Sequence, residues 1–232
     1  MSTIHDAEFG GIVVRRIARA KQVRIRIGTD GRYVATAPPY TPLYFIKRMV
    51  ASSRDELRAL SGHSSGPTNY YDGQQVGKSH QLAIVPTGMV AVPKISVQRQ
   101  RIIVMLPNNH SLEDVGVQQQ IRDTVTKVLR KEAKAYLPRR LATMASQYGF
   151  IYDRVRFSHS GGRWGSCSST GTISLNIALM KLPHELIDYV LAHELSHTRH
   201  MNHSASFWAV VGSVDPLYKL HRQQLKRETP TV

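Results

Sequence analysis

The chain has 232 residues with 41% hydrophobic and 20% charged side chains, 16 Gly and 11 Pro, an ordinary globular composition that excludes collagen-like, low-complexity and wholly disordered classes. A single cysteine, Cys167, rules out an internal disulfide and with it a small disulfide-stapled secreted scaffold, so a reducing cytoplasm is the expected location. Lys plus Arg at 31 against Asp plus Glu at 16 leaves +15, of which +12 (22 basic, 10 acidic) falls before residue 151 and +3 (9 basic, 6 acidic) after it.

Residues 1–9 carry Asp6 and Glu8 and lack the cationic start and apolar centre of a signal peptide. No run of about 18 apolar residues occurs anywhere, so no membrane span is expected. Val23 to Ile27 alternates apolar with cationic residues, Thr29-Asp30-Gly31 turns the chain, and Tyr33 to Ala37 returns before Pro38-Pro39, which predicts a hairpin with one wet, basic face. Thr41-Pro42 predicts a helix start, and Leu43, Phe45, Ile46, Met49 and Val50 continue at near-helical spacing towards Leu60. Ser61 to Thr68 is polar and reads as flexible; Gln81 to Val85, Lys94 to Val97 and Arg101 to Leu106 read as strands. Ser111 with Glu113 and Asp114 opens a helical pattern from Val115 to about Tyr136, restarting after Pro138 and ending near Gly149. Short strands at Val155 to Phe157 and Thr172 to Ile177 flank a Gly- and Ser-rich loop. Pro183 opens a further helix, and two short helices start near Ser204 and Asp215. The change of texture places a domain boundary at 110: residues 1–110 a basic, β-rich portion with one helix, residues 111–232 a catalytic domain.

Within the Pro183 helix stands His193-Glu194-Leu195-Ser196-His197, the H-E-x-x-H pattern. Histidines four apart lie on one helix face and can reach the same tetrahedral zinc, while Glu194 sits beside the metal, where its carboxylate can take a proton from a bound water. His200 and His203 both follow. On a straight helix, His200 would lie about 10 Å along the axis from His193, too far for a shared ion with bonds of about 2 Å. The helix must therefore end after His197, and Met201-Asn202 before the N-cap residue Ser204 can turn His203 back. The expected ligands are His193, His197 and His203 on one zinc per chain, with water fourth. A closed structural site would need Cys167 as a fourth protein ligand. A histidine-rich structural segment is the bland competing account, since five of the eleven histidines fall between His184 and His203.

Arg163-Trp164-Gly165-Ser166-Cys167-Ser168, Ile173-Ser174-Leu175-Asn176, the H-E-x-x-H segment, Asn202-His203-Ser204 and Phe207-Trp208 together resemble the YgjP-like metal-dependent hydrolase family, relatives of the SprT-like and Wss-type zincins. The resemblance covers nearly the whole chain, more loosely from Gly66 to Asn109. It implies an α+β zincin-type fold, a single zinc on three histidines and Glu194 as general base. His200 stands where the longer metzincin motif has glycine, which fits the YgjP-like pattern. Carried over by position, Thr172 to Ile177 is expected to form the cleft-rim edge to which an extended peptide pairs, with a core strand as its plainer role. Arg163 and Asn176 are expected to bind substrate; for Arg163 and Trp164 the plainer reading is buttressing of that strand. Asp188 or Asn202 is expected to orient a ligand imidazole, and Phe207 and Trp208 to pack behind the ligands.

The leading expectation is a zinc metallopeptidase acting on a protein or peptide. One alternative keeps the metal and lets the basic surface draw in a nucleotide or other phosphate-containing substrate for hydrolysis. Another is a basic nucleic-acid-binding protein with a non-catalytic zinc site. Against the first stands the shortage of acids near the motif, only Glu185, Asp188 and Glu194; against the second stands Glu194 itself, which metal binding alone does not require.

Overall fold

A computed structural model of the chain describes residues 2–6, 9–27, 33–54, 57, 70–159 and 161–232. The chain divides into two compact units, residues 1–68 and 69–232, each with its own apolar core.

In the first unit, β1 (Ser2–Asp6), β2 (Gly10–Arg16), β3 (Arg24–Ile27) and β4 (Tyr33–Ala37) form one sheet in the order β1-β2-β4-β3. The β3–β4 pair is antiparallel, as the alternation at 23–37 predicts, while its turn at Thr29 to Gly31 lies outside the described residues. Strands β1 and β2, and the parallel pairing of β2 with β4, carried no comparable sequence signal. Helix α1 (Leu43–Ser52) takes Pro42 as its N-cap position and buries Ile46 and Val50 with Ile4, Ile12, Val14, Ala35 and Ala37 on one face of the sheet. The flexible stretch expected at 61–68 lies outside the described residues.

The second unit begins with β5 (Gln75–Val76), β6 (His80–Pro86), β7 (Lys94–Gln98) and β8 (Arg101–Leu106), ordered β5-β6-β8-β7. This sheet packs on α2 (Val115–Tyr148) through Val76, Leu82, Ile102 and Val104, so position 110, where the sequence changes texture, lies inside the second compact unit. The hairpin is also tied polarly to α2. The Glu132 carboxylate accepts from the amides of Lys78 (2.7 Å) and Ser79 (3.1 Å) and bonds His80 Nδ1 (2.7 Å). Gly77, at φ +62°, leaves the room that Glu132 fills.

Helix α2 runs unbroken for 34 residues through Pro138, where the sequence predicted an interruption. Proline forfeits one backbone hydrogen bond there, but Leu129, Ala133, Leu137 and Leu141, all 0% exposed, hold both flanking turns on one core. Each large side chain buried in this way is worth about 1.5–3 kcal/mol, enough to outweigh a single lost bond. Gly149 ends the helix in the left-handed conformation that glycine adopts without strain.

A three-stranded sheet follows, β9 (Arg154–Ser158), β10 (Gly165–Cys167) and β11 (Thr172–Asn176), in the order β10-β11-β9. Asn176 then caps a 3-10 turn (Ile177–Lys181) by accepting from the Ala178 amide at 3.0 Å. Helices α3 (His184–Ser196), α4 (Ala205–Val214) and α5 (Tyr218–Leu225) complete the α+β fold. Among the described residues no helix is long and apolar enough to cross a membrane.

Candidate metal centre

Helix α3 starts behind Pro183, with Glu185 placed in the first turn where it complements the helix dipole. Its apolar residues point to more than one side, and Leu186, Ile187, Tyr189, Val190, Leu191, Ala192 and Leu195 are all buried. The helix is therefore threaded through the core and held rigidly. His193 and His197 stand one turn apart at its C-terminal end. The helix stops at His197: Thr198 caps the Leu195 carbonyl with both its amide (3.0 Å) and its hydroxyl (2.7 Å). Arg199 pins the turn to the end of α2 by donating to the Tyr148 and Gly149 carbonyls at 2.8 and 2.9 Å, its guanidinium lying 4.2 Å from the Phe150 ring centre. Ser204 then caps α4, accepting from the Phe207 amide at 3.4 Å, and His203 is left facing back.

The ligand-capable nitrogens of His193, His197 and His203 all lie within 4.8 Å of one another, and they are the one metal-capable cluster among the described residues. The Nε2 atoms of His193 and His203 are 3.2 Å apart. Two nitrogens on a tetrahedral ion with bonds of about 2.0–2.1 Å would be about 3.3–3.4 Å apart, so this spacing fits a shared divalent cation. His197 Nδ1 faces the His200 carbonyl at 3.0 Å; donating a proton there leaves Nε2 with its lone pair, the form a metal requires. His200 thus serves through its backbone while its side chain stays outside the cluster. Burial, reinforced by the other two histidines and Arg222, pushes His193 down to about 3, and burial also lowers His197. Both imidazoles are consequently neutral at physiological pH, as metal binding would require.

Aromatic rings brace the cluster. Phe207, 0% exposed, has its ring centre 4.5 Å from that of His197 and 4.8 Å from that of His203. Trp208 stacks on His203 at 5.7 Å, Tyr218 stacks on Trp208 at 5.5 Å, and the Arg222 guanidinium sits 4.7 Å from the Trp208 ring centre.

Glu194 is 5% exposed, and its Oε2 is buried without a hydrogen-bond partner. Burial lifts its carboxyl to about 8, opposed by the positive charge of Arg163. A divalent cation on the three histidines would favour the carboxylate further. The carboxylate lies against β10: a Cβ placed on Gly165 would sit 2.6 Å from Glu194 Oε1. No other residue type fits there without displacing Glu194. A glycine inside a strand signals close approach of another group, so this contact had a trace in the sequence even though its partner did not.

Strand β11 is the middle strand of its sheet, paired with β10 on one side and β9 on the other. The expectation that Thr172 to Ile177 forms the cleft-rim edge is therefore corrected: β10 is the edge strand beside Glu194. Asn176 is 0% exposed and donates through Nδ2 to the Arg163 carbonyl (2.9 Å) and the Pro230 carbonyl (3.3 Å). Its amide anchors the loop before β10 and is engaged with backbone. Arg163 is exposed and within electrostatic reach of Glu194. Asp188, expected near a ligand imidazole, is instead bound bidentately by Arg140 at 2.8 and 2.7 Å. Asn202 is exposed beyond the helix end. Cys167 stays outside the histidine cluster, and burial, with Glu194 nearby, pushes its thiol up to about 11.

Residues 21–228 match the model of the YgjP-like, metallopeptidase domain family. The chain belongs to this family. Membership implies a divalent metal and a peptidase activity that depends on it. The YgjP-like chain is also similar to two solved structures, each over 38% of its length. One is the metallopeptidase zymogen abylysin of Pyrococcus abyssi, 29% identical, with 90% of that chain covered and a TM-score of 0.36. The other is the metallopeptidase zymogen jannalysin of Methanocaldococcus jannaschii, 18% identical, with 93% covered and a TM-score of 0.32. None of the curated proteins compared matches the chain.

Proposed function

We propose that this YgjP-like protein is a zinc peptidase that cleaves protein or peptide substrates, with one zinc held by His193, His197 and His203 and Glu194 as general base. The observation that carries the reading is the juxtaposition of three convergent imidazoles with a buried carboxylate on the same helix turn. Three imidazole nitrogens, with no fourth ligand-capable group in the cluster among the described residues, suit a zinc with an open position. When bound, zinc supplies a Lewis acid that polarises the scissile carbonyl and acidifies water.

The chain's own residues do the rest. Glu194 takes a proton at its carboxylate and delivers it to the departing amine, and its low exposure keeps bulk water from competing for that proton. Gly165 fixes where the carboxylate stands. The outer edge of β10 offers backbone donors and acceptors to an extended peptide, which sets the scissile bond in register with the histidines. Arg163, exposed at the start of that strand, is placed to receive developing negative charge or a substrate carboxylate.

The test combines elemental analysis with hydrolysis of a mixed peptide pool read by mass spectrometry. About one zinc per chain is expected in wild type, with loss in His203→Ala and retention in His200→Ala. Cleavage should appear with wild type and vanish with Glu194→Gln. Full zinc occupancy in His203→Ala would remove the ligand assignment, and undiminished cleavage by Glu194→Gln would remove the base.

A further inference from the structure

Among the described residues, the sheet of the first unit has α1 on one face and no helix on the other. Backbone register decides which residues share each face, because paired residues point the same way and alternate residues point opposite ways. Ile4, Ile12, Val14, Tyr33, Ala35 and Ala37 lie on the face that α1 covers. The other face carries the opposite set. Arg24 pairs with Thr36 and Thr36 with Arg15, so the two arginines flank one threonine across three adjacent strands. Arg26, two residues from Arg24, shares their side, with Val34 as its partner and Val13 beyond that. All three arginines are exposed. No ion pair engages any of them among the described residues, and Asp6, on the opposite face, is held by Arg54 at 3.0 Å.

Spacing and surroundings narrow the partner. At about 4.8 Å between strands and 3.3 Å per residue, Arg15 and Arg24 stand about 10 Å apart and Arg24 and Arg26 about 7 Å apart. That is the axial span of about two to three phosphates on one strand of a DNA duplex. A protein partner would need an aromatic or large apolar anchor, and single-stranded nucleic acid an aromatic stacking platform. Among the described residues this face offers no phenyl, phenol or indole ring: Val34 is 5% exposed, Val13 is half-buried, and Thr3, Thr36 and the exposed imidazole of His5 complete the floor. Arginine forks on a flat, anchor-free surface suit phosphate oxygens, which accept them bidentately.

We propose that the face of the β1–β4 sheet opposite α1, through Arg15, Arg24 and Arg26, binds the phosphate backbone of duplex nucleic acid without sequence preference. This inference stands independently of the hydrolytic reading, since it uses none of the metal-centre residues.

The test is fluorescence anisotropy of a labelled 20-base-pair DNA duplex against the full-length protein over a salt series. Arg15→Gln/Arg24→Gln/Arg26→Gln should weaken binding about tenfold or more and reduce the slope of log Kd against log salt by about 2 to 3. A charge-matched control, Lys127→Gln/Lys131→Gln/Lys134→Gln on exposed positions of α2, lowers net charge equally and should leave both readings near wild type. Each arginine changed singly is measured as well, so that misfolding of the triple variant, detected by circular dichroism, leaves three smaller effects to read. Equal losses in the arginine and lysine sets, unchanged affinity in the arginine variants, no binding by wild type, or displacement of the duplex by polyglutamate as readily as by unlabelled DNA would each overturn the proposal.

Discussion

The two units handle charge in opposite ways. In the first, Arg15, Arg24 and Arg26 are exposed on the sheet face opposite α1. In the second, Glu194 is almost completely buried and His193 is held neutral, both by burial inside a framework of helix and strand. The contrast shows how environment assigns a role to an ionisable group. An exposed cation keeps its hydration and acts at long range on polyanions, whereas a buried carboxylate or imidazole has its protonation reset and its position fixed, which proton transfer and metal binding require.

The comparison breaks most sharply at Glu194. Replacement by Gln keeps shape and removes the proposed base, so peptide hydrolysis should fall by about 10²–10⁴-fold while the proposed zinc content of one per chain should be unchanged. Loss of zinc together with activity would mean that the side chain serves metal retention. Gly165→Ala probes the same group from the other side of the contact: its Cβ would lie 2.6 Å from the Glu194 carboxylate, so activity should drop about tenfold to a hundredfold with zinc retained. Wild-type turnover in that variant would show that the carboxylate position is not critical.

In the first unit the sensitive position is apolar. Ile46, 0% exposed beneath the sheet, should cost about 2–5 kcal/mol on truncation to Ala, measured by denaturant unfolding, with zinc content unchanged because the metal centre belongs to a separate core.

The mildest effect is a pH dependence at Cys167. Its thiol is raised from 9.0 to about 11, first by burial and then by Glu194. Between those values the unfolded chain releases a proton that the folded chain keeps, so this group's contribution to stability is present below pH 9 and is lost as pH rises towards 11. The rate of alkylation by iodoacetamide should accordingly keep climbing past pH 9 in the folded protein, where a free cysteine levels off. A plateau near pH 9 would contradict the burial of the thiol.

Much of this arrangement was legible in the sequence because it depends on local rules. The β3–β4 pairing follows from period-two alternation, and α4 follows from the Ser204 cap. The return of His203 follows from the distance a straight helix would impose on His200. What misled was also local. Pro138 reads as a break, yet the helix continues because its neighbours are clamped in the core. Asp188 reads as available to a ligand, yet Arg140, 48 residues earlier, takes both its oxygens.

The sequence by itself determined which histidines converge, because spacing along a helix and the cap that follows it are written within about a dozen positions. Only the tertiary structure decided that β10 rather than β11 is the edge strand, that Gly165 makes room for Glu194, that Asn176 is engaged with backbone, and that the 75–106 sheet belongs with the metal centre. Each of these depends on which distant segments pack or pair. That choice is made by the burial of whole faces and the satisfaction of backbone hydrogen bonds across the fold, which no short window of sequence contains.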